Sequence, residues 1–578
     1  MSNSIKIQDF QGMQYSRDGS DFEQRDWSFF NEQYASSTYQ TTRNLNPALI
    51  VQPRNDGDII AAINWARESK RSIAVKSGGH QYSGASSTGD RNIQIDLTDT
   101  FKDMQVMPRS KDVPEDRAWV YVGVSNRLKD FNAWLTHNEL FVPHGQCAYV
   151  CVGGHGQTGG YGQLGRGFGL FGDHIVMIRM IDHAGKIQEI TKKSDPELFW
   201  AILGGSPGNF GIITHYVVSV YRAQSYKGSV GSKVLGHLGQ KGPYGMKGLY
   251  IYNKDTLEKI LQILAKFSDN TQTPRNFDLC VSVFSMGFDV KQLFPSLKDD
   301  NFLEEVRAKI KQRVAGDVFD LLKGQFPAVI VVYASWCPLS SNDKYDETVH
   351  AWFDQFRKLH KGPDALVSRE FNINMAEMTG KWIFQLTREF NLPYEKRTYT
   401  TNSTQLATSG WVQDVVNRLE LIYNPNQRGD DKSHEEREIY NHCKLSVQIQ
   451  AFGGANSQFA ANKTNGTSYS WRDTTICQTL DCFHEDEYSE YAKKYQLGND
   501  ELMKGPKSNF SKQDRRVLWG SYGNWDMSQP EIWKAYYEDE AKYQRLGKAR
   551  GMADPNGTFT ANPFAVTAIR GGQRGSHL

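Results

Sequence analysis

Between His144 and Gly162 the chain reads His-Gly-Gln-Cys-Ala-Tyr-Val-Cys-Val-Gly-Gly-His-Gly-Gln-Thr-Gly-Gly-Tyr-Gly. Seven glycines, two cysteines and two histidines share these nineteen positions. Glycine at this density lets backbone approach a ligand closely and reach positive φ. Successive N–H groups in such a loop form a concave anion site that suits a pyrophosphate. An upstream stretch, Lys76-Ser-Gly-Gly-His-Gln-Tyr-Ser83, has the same character. Together they predict a dinucleotide bound by loops, with histidine and cysteine side chains against it.

The rest of the chain sets bounds on that reading. Its 578 residues allow two to four domains and a large core. A net charge of +2, from 67 basic and 65 acidic residues, argues against a nucleic-acid binder or a membrane-surface protein. No apolar run approaches the ~18 residues of a membrane span; the stretch from Phe326 to Ala334 is interrupted by Pro327. Residues 1–17 lack the apolar segment of a signal peptide, which favours the cytoplasm over secretion as an expectation. Asn-x-Ser/Thr sequons at Asn402, Asn462, Asn465, Asn509 and Asn556 do not establish secretion. Seven cysteines form no disulfide framework for a chain this long. Cys147, Cys151, His144 and His155 are zinc-ligand types, but the surrounding glycines argue for a ligand loop and no metal site.

Read in order, residues 1–44 are polar and predict an irregular surface arm. Ala48–Pro53 reads as a strand, and Asp56 or Asp58 as the cap of a helix running to Ser69. Ser72–Lys76, the alternating Ile93, Ile95 and Leu97, Trp119–Val124, Ile175–Ile181 and Phe210–Val220 read as further strands. A helix is expected over Arg127–Thr136. From Tyr226 the pattern changes to amphipathic helices over Thr256–Phe267, Phe302–Leu322, Lys344–His360 and Trp411–Tyr423. Between them lie strands at Asp278–Ser285, Ala328–Ser335, Lys444–Phe452 and Ser468–Phe483. A last helix is expected over Pro530–Lys548. Strands with helices gathered on one face predict an α+β protein.

The motifs in sequence resemble the berberine-bridge-enzyme-like flavin oxidases of the vanillyl-alcohol-oxidase superfamily. They are Ser77-Gly-Gly-His-Gln-Tyr82, Gly145-Gln-Cys147 and Val152-Gly-Gly-His-Gly-Gln-Thr-Gly-Gly-Tyr-Gly162. Arg166-x-x-Gly-Leu170 with Asp173, Glu197–Ala201, Gly204–Thr214, Tyr522-x-Asn524 and Asp554-Pro-x-x-x-Phe559 follow in the family's order. The resemblance spans roughly residues 45–566. It implies a two-part PCMH-type FAD-binding domain over 45–224 and a substrate domain, an antiparallel sheet covered by helices, over 225–500. It further implies a segment over 501–566 returning to the first domain, then a flexible tail over 567–578.

The resemblance also implies FAD held by two covalent bonds, His80 to the flavin 8α carbon and Cys147 to C6. Cys151 stands where relatives have glycine, and it competes with Cys147 as the linking thiol. Ser77, Gly78, Gly79, Gly153, Gly154, Gly159, Gly160, Gly208, Asn209, Gly211, Ile212 and Asn524 are the remaining cofactor candidates. Tyr82 and His155 match positions near the flavin; for His155, a hydrogen bond inside the loop is the alternative. Tyr522 matches a tyrosine that serves as base in alcohol-oxidising relatives. Gln448 and Gln450 lie two apart on one strand and share a face. Relatives carry a carboxylate there, whereas an amide holds a hydroxyl but does not take its proton. The expected function is oxidation of an alcohol or hemiacetal hydroxyl, on a sugar or a secondary metabolite, with dioxygen as acceptor. An oxidative cyclase and a non-redox flavin-containing binding or cyclisation protein are the alternatives. The expected partners are a small-molecule substrate and dioxygen, with no nucleic acid or membrane; oligomeric state is left open.

Overall fold

A computed structural model describes residues 5–17, 47–230, 242–268, 273–285, 308–312, 327–382, 392–429 and 431–570. Its architecture is α+β, with three main sheets. The first sheet has the order Met13–Ser16, Leu49–Gln52, Ile93–Asp96, Ile73–Lys76. The last three strands run parallel, and Met13–Ser16 adds antiparallel at the edge. The N-terminal stretch expected to be irregular thus contributes a paired strand; residues 18–46 lie outside the described part.

Helix Asp56–Glu68 covers this sheet. Ile59, Ala62, Ile63 and Ala66 recur at helical spacing and are all buried. Its cap is Asn55, whose Oδ1 accepts the Asp58 N–H at 3.1 Å. Asp58 itself turns back to accept the Gln11 and Arg54 N–H groups at 2.7 and 2.8 Å. The expected cap was therefore displaced by one residue at its nearest, because Asp58 is spent on holding the N-terminal strand. Ile93–Asp96 is buried on both faces, not alternately, as a parallel interior strand should be. Asp96 is accommodated there by Lys76, 3.3 Å away.

The second sheet is antiparallel and is built on the long strand Ile212–Arg222, flanked by Arg117–Gly123 and Ile175–Ile181. The third has seven antiparallel strands. Their order is Ala365–Asn372, Tyr244–Ile251, Val329–Trp336, Phe277–Phe284, Cys443–Ala451, Ile476–His484, Tyr394–Thr401. Helices Lys254–Ser268, Glu347–Leu359, Trp411–Tyr423 and Ser489–Met503 bury their apolar stripes on one face of it. The other face turns toward the glycine-rich segments.

Three expected elements change at identifiable residues. The strand expected over Ser468–Phe483 is confined to Ile476–His484; Trp471 sits at φ 58°, which breaks an extended run. The helix expected over Lys344–His360 begins only at Glu347, because Asp346 caps it and Lys344–Tyr345 is a short strand. The C-terminal helix is two, Pro530–Tyr536 and Glu540–Ala553, the second capped by Asp539. Of the helix expected over Phe302–Leu322, only 308–312 is described. The tail 571–578 also lies outside.

The C-terminal segment packs into the same core as the first two sheets: Trp533, Tyr536, Leu546, Phe559 and Phe564 share it with Leu49, Ile63 and Ile175. Its Asp-Pro motif closes a turn in which Asp554 accepts the Thr558 and Phe559 N–H groups at 2.7 and 2.9 Å. Among the described residues no helix is long and apolar enough to cross a membrane.

Candidate active site

One long cleft runs between the glycine-rich segments and the uncovered face of the seven-stranded sheet. Ser77–Tyr82, Gly145–Cys147, Gly153–His155, Gly208 and Gly211 line one side; Gln448, Thr479, Asp481 and Lys396 line the other. The glycine loop is not all loop. Val152–Thr158 forms a helix, which the sequence reading missed because glycine is a poor helix former. Tertiary contacts hold it: the Val152 and Gly153 N–H groups donate to Asn126 O and Val124 O, each at 2.9 Å.

Glycine serves two different ends here. A Cβ on Gly78 would lie 2.9 Å from Cys151 Sγ, so the two glycine segments touch only because that atom is missing. A Cβ on Gly154 would meet nothing within 4 Å. That bare backbone faces the cleft, and it is a surface kept low for something else to lie on. Gly159 and Gly160 form the turn behind the helix and do not line the cleft.

His80 and Cys147 come from different segments and both line this cleft, partly buried. Burial, with Arg127 and Lys76 nearby, pushes the His80 imidazole down to about 3, so it is neutral and keeps a lone pair. Cys151 is different. It is 4% exposed, its Sγ lies 3.5 Å from Ser125 O, and burial pushes its thiol up to about 12. A thiol so held is unreactive. His155 Nε2 accepts the Gly145 N–H at 3.0 Å, which is the in-loop alternative for that residue. His144 is engaged with Gly145 O at 2.7 Å and Asn132 Oδ1 at 3.0 Å.

On the sheet side, Gln448 and Gln450 do share a face, but they do different things. Gln448 lines the cleft; its Oε1 accepts from Tyr161 Oη at 3.1 Å and its Nε2 donates to Gln146 Oε1 at 2.7 Å. Gln450 is 1% exposed and donates to Gly162 O at 2.6 Å, tying the sheet to the glycine loop. It is withdrawn from the cleft. Trp519 closes the space beside Tyr161, the rings stacked at 4.9 Å.

Tyr522 is not brought into the cleft. The reason is strand alternation at the sheet edge. On Tyr394–Thr401, Lys396 faces the cleft, whereas Arg397 and Tyr399 face the helices. The C-terminal segment passes round this edge. Trp519 and Gly520 lie on the cleft side, and Tyr522 packs on the far side against Tyr399. There Tyr522 Oη donates to Asp514 Oδ1 at 3.2 Å, and the Arg516 guanidinium lies 4.4 Å from its ring centre. Burial first, and then Asp514 and Asp500, hold its hydroxyl well above the usual tyrosine range. In this placement Tyr522 does not reach the cleft where the sequence reading expected it to act as base. Asn524 is also corrected: it is exposed and its Nδ2 donates to Gln529. Asn209 and Ile212 lie behind the cleft wall, Asn209 donating to Phe559 O at 2.7 Å.

The residues that sequence reasoning missed are Lys396 and Asp481. They are directly opposite across the Tyr394–Thr401 and Ile476–His484 strands, with Nζ and Oδ1 2.8 Å apart. Lys396 Nζ also lies 4.0 Å from the centre of the Tyr82 ring. A lysine and an aspartate 85 positions apart carry no local signal; only the pairing of the two strands joins them.

The cleft fits FAD on its own evidence. Bare backbone at Gly154 and Gly208 faces it, a neutral imidazole and an accessible thiol stand in it, and its far wall is polar. Comparison with known proteins agrees. Residues 47–191 match the family described as FAD binding domain. This match shows an FAD-binding domain over that span. More particularly, over about a third of its length the chain is similar to curated berberine bridge enzyme-like proteins. It is 30% identical over 203 residues to berberine bridge enzyme-like 19 of Arabidopsis thaliana, covering 34% of this chain and 35% of that one. The match thus spans about a third of that relative's length. By structure it is similar to the xylooligosaccharide oxidase of Myceliophthora thermophila C1 (TM-score 0.64, 15% identity, 96% and 97% of the two chains). It is likewise similar to the glucooligosaccharide oxidase of Acremonium strictum (TM-score 0.62, 15% identity, 97% and 98%), which carries a 6-S-cysteinyl, 8α-N1-histidyl FAD.

Proposed function

We propose that this chain is an FAD-dependent oxidase of an alcohol or hemiacetal hydroxyl, on a sugar, oligosaccharide or secondary metabolite. The observation that carries the reading is that His80 and Cys147, from two separate segments, face one cleft whose opposite wall is polar. Bound FAD would supply the two-electron acceptor, taking the substrate's hydride at N5 and passing the electrons to dioxygen as hydrogen peroxide. His80 and Cys147 are the residues that would hold it covalently, as the Acremonium enzyme's cofactor is held. Cys151 is set aside because its thiol is buried and protonated.

The chain's own residues then bind and orient the substrate. Tyr161 spends its proton on Gln448 and has Thr479 hydrogen-bonded at the same oxygen, which fixes its ring as part of the cleft wall against which a substrate would lie. Gln146 fixes the Gln448 amide and with it the direction of that bond. Trp519 offers an aromatic wall of the kind on which a sugar face packs. The oligosaccharide oxidases among its structural neighbours support the carbohydrate side of this reading.

The test is anaerobic mixing with mono- and oligosaccharides, aromatic alcohols and alkaloids, followed by air. A hydroxylated substrate is expected to bleach the flavin band, and air to restore it with release of peroxide. A flavin that no alcohol or sugar bleaches would overturn the proposal.

A further inference from the structure

The cleft contains a carboxylate in a place nothing so far assigns. Strand Cys443–Ala451 presents Ser446 and Gln448 to the cleft and no carboxylate, and Tyr522 lies beyond the sheet edge. Oxidation of a hydroxyl still has to give up a proton inside the cleft. Asp481 lines that cleft from the next strand, opposite Ser446 on one side and Lys396 on the other. Its side chain is 21% exposed, and that of Lys396 is 5% exposed. Lys396 Nζ donates to the Asp481 carboxylate through Oδ1 at 2.8 Å. The residue lines the cleft beside that bond. Lys396 is in turn boxed in, with Asp481 on one side and the Tyr82 ring on the other, and the Tyr82 ring meets Tyr394 edge-on at 6.0 Å. The pair is built into two strands and is not a flexible surface contact.

We propose that Asp481 is the catalytic residue that takes the substrate's hydroxyl proton, with Lys396 as the positioning residue that holds the carboxylate toward the cleft. This rests on the oxidase reading above. In the step, the substrate O–H bond breaks and its proton goes to Asp481 Oδ2. The adjacent C–H bond breaks and its electron pair leaves as hydride to the flavin oxidant, so CH–OH becomes C=O. Lys396 keeps its proton throughout and offsets the carboxylate's charge in the starting state. Tyr82 confines the lysine head so that the carboxylate keeps one orientation.

The experiment uses the flavin-loaded full chain and the hydroxylated substrate found to bleach it. Three quantities are read for wild type, Asp481→Asn, Asp481→Ala and Lys396→Met: the limiting rate of anaerobic bleaching, ligand affinity from tryptophan fluorescence, and flavin content. Asp481→Asn is expected to lower the limiting rate by ~100-fold or more, the usual scale for losing a general base. Flavin content and ligand affinity should stay those of wild type. Added formate or acetate should restore part of the rate in Asp481→Ala, which a merely structural residue would not allow. Lys396→Met should lower the limiting rate without changing affinity, and Lys396→Arg should recover some of it. If wild type is bleached and Asp481→Asn keeps the wild-type rate, this assignment falls and the oxidase reading stands. If no hydroxylated substrate bleaches wild type, both fall together. Should Asp481→Asn fail to fold, Asp481→Glu keeps the question open to test: a carboxylate moved by one methylene should be slow but active, and full activity would contradict the tight placement argued here.

Discussion

Replacing Gly154 by leucine is expected to give a folded protein that takes up FAD much more weakly. The position is helical, within Val152–Thr158, and a Cβ there meets nothing within 4 Å. Leucine is the better helix former by roughly 0.8–1 kcal/mol, so the fold should be kept or slightly stabilised. The added side chain, however, projects into the cleft where the cofactor must lie. Forcing extra methylenes into a filled site costs about 1–3 kcal/mol, or roughly 5- to 160-fold in affinity. The readout is flavin absorbance per chain beside the urea midpoint of the flavin-free protein. Gly78 supplies the contrast, because a Cβ there would already press on Cys151 Sγ at 2.9 Å. Gly78→Leu should therefore lose the fold, whereas Gly154→Leu should weaken only flavin uptake. Full flavin content in Gly154→Leu would contradict the placement of the cofactor.

The second large effect belongs to Asp278, on strand Phe277–Phe284. Its carboxylate accepts the Leu164 N–H at 2.8 Å, joining the sheet to the segment after the glycine loop. Asp278 is 3% exposed, and burial pushes it up to about 7, although Arg166 and the hydrogen bonds act the other way. An unfolded aspartate titrates near ~3.9. Between those values the folded chain holds a proton that the unfolded chain has released. Stability from this group is therefore full below about pH 4 and is lost as pH rises toward 7, by roughly 4 kcal/mol in all. Asp278→Asn keeps an oxygen for Leu164 and cannot ionise. The wild-type urea midpoint should fall between pH 5 and pH 8 relative to that of Asp278→Asn. Parallel midpoints for the two proteins would remove Asp278 as the source.

Much of the fold was legible in the sequence because local patterns decide it. The helical spacing of Ile59, Ala62, Ile63 and Ala66 and the apolar strands at Ile175–Ile181 and Ile212–Arg222 need no distant partner to be read. The glycine segments were legible as a ligand loop for the same reason. What escaped was set by tertiary contact. Strand Tyr394–Thr401, with its lysine, arginine and threonines, is polar by composition. It is a strand because it pairs along its whole length with Ile476–His484. Missing it meant missing Lys396 and Asp481. The same strand misplaces Tyr522 for a reader of sequence: the motif puts it near the cleft, and the sheet edge turns its side chain to the other face. Between Cys147 and Cys151, four residues apart, the resemblance favours Cys147 by its spacing to Val152–His155, and the deeper burial of Cys151 is consistent with that choice.

FAD is expected to lie along this cleft between His80 and Cys147. The most direct measurement is to precipitate the flavin-loaded protein in acid, digest it, and map the flavin-bearing peptides by mass. The expected result is one flavin joining a peptide that contains His80 to a peptide that contains Cys147, with Cys151 unmodified. Flavin released entirely into the supernatant, or attached through Cys151, would contradict it.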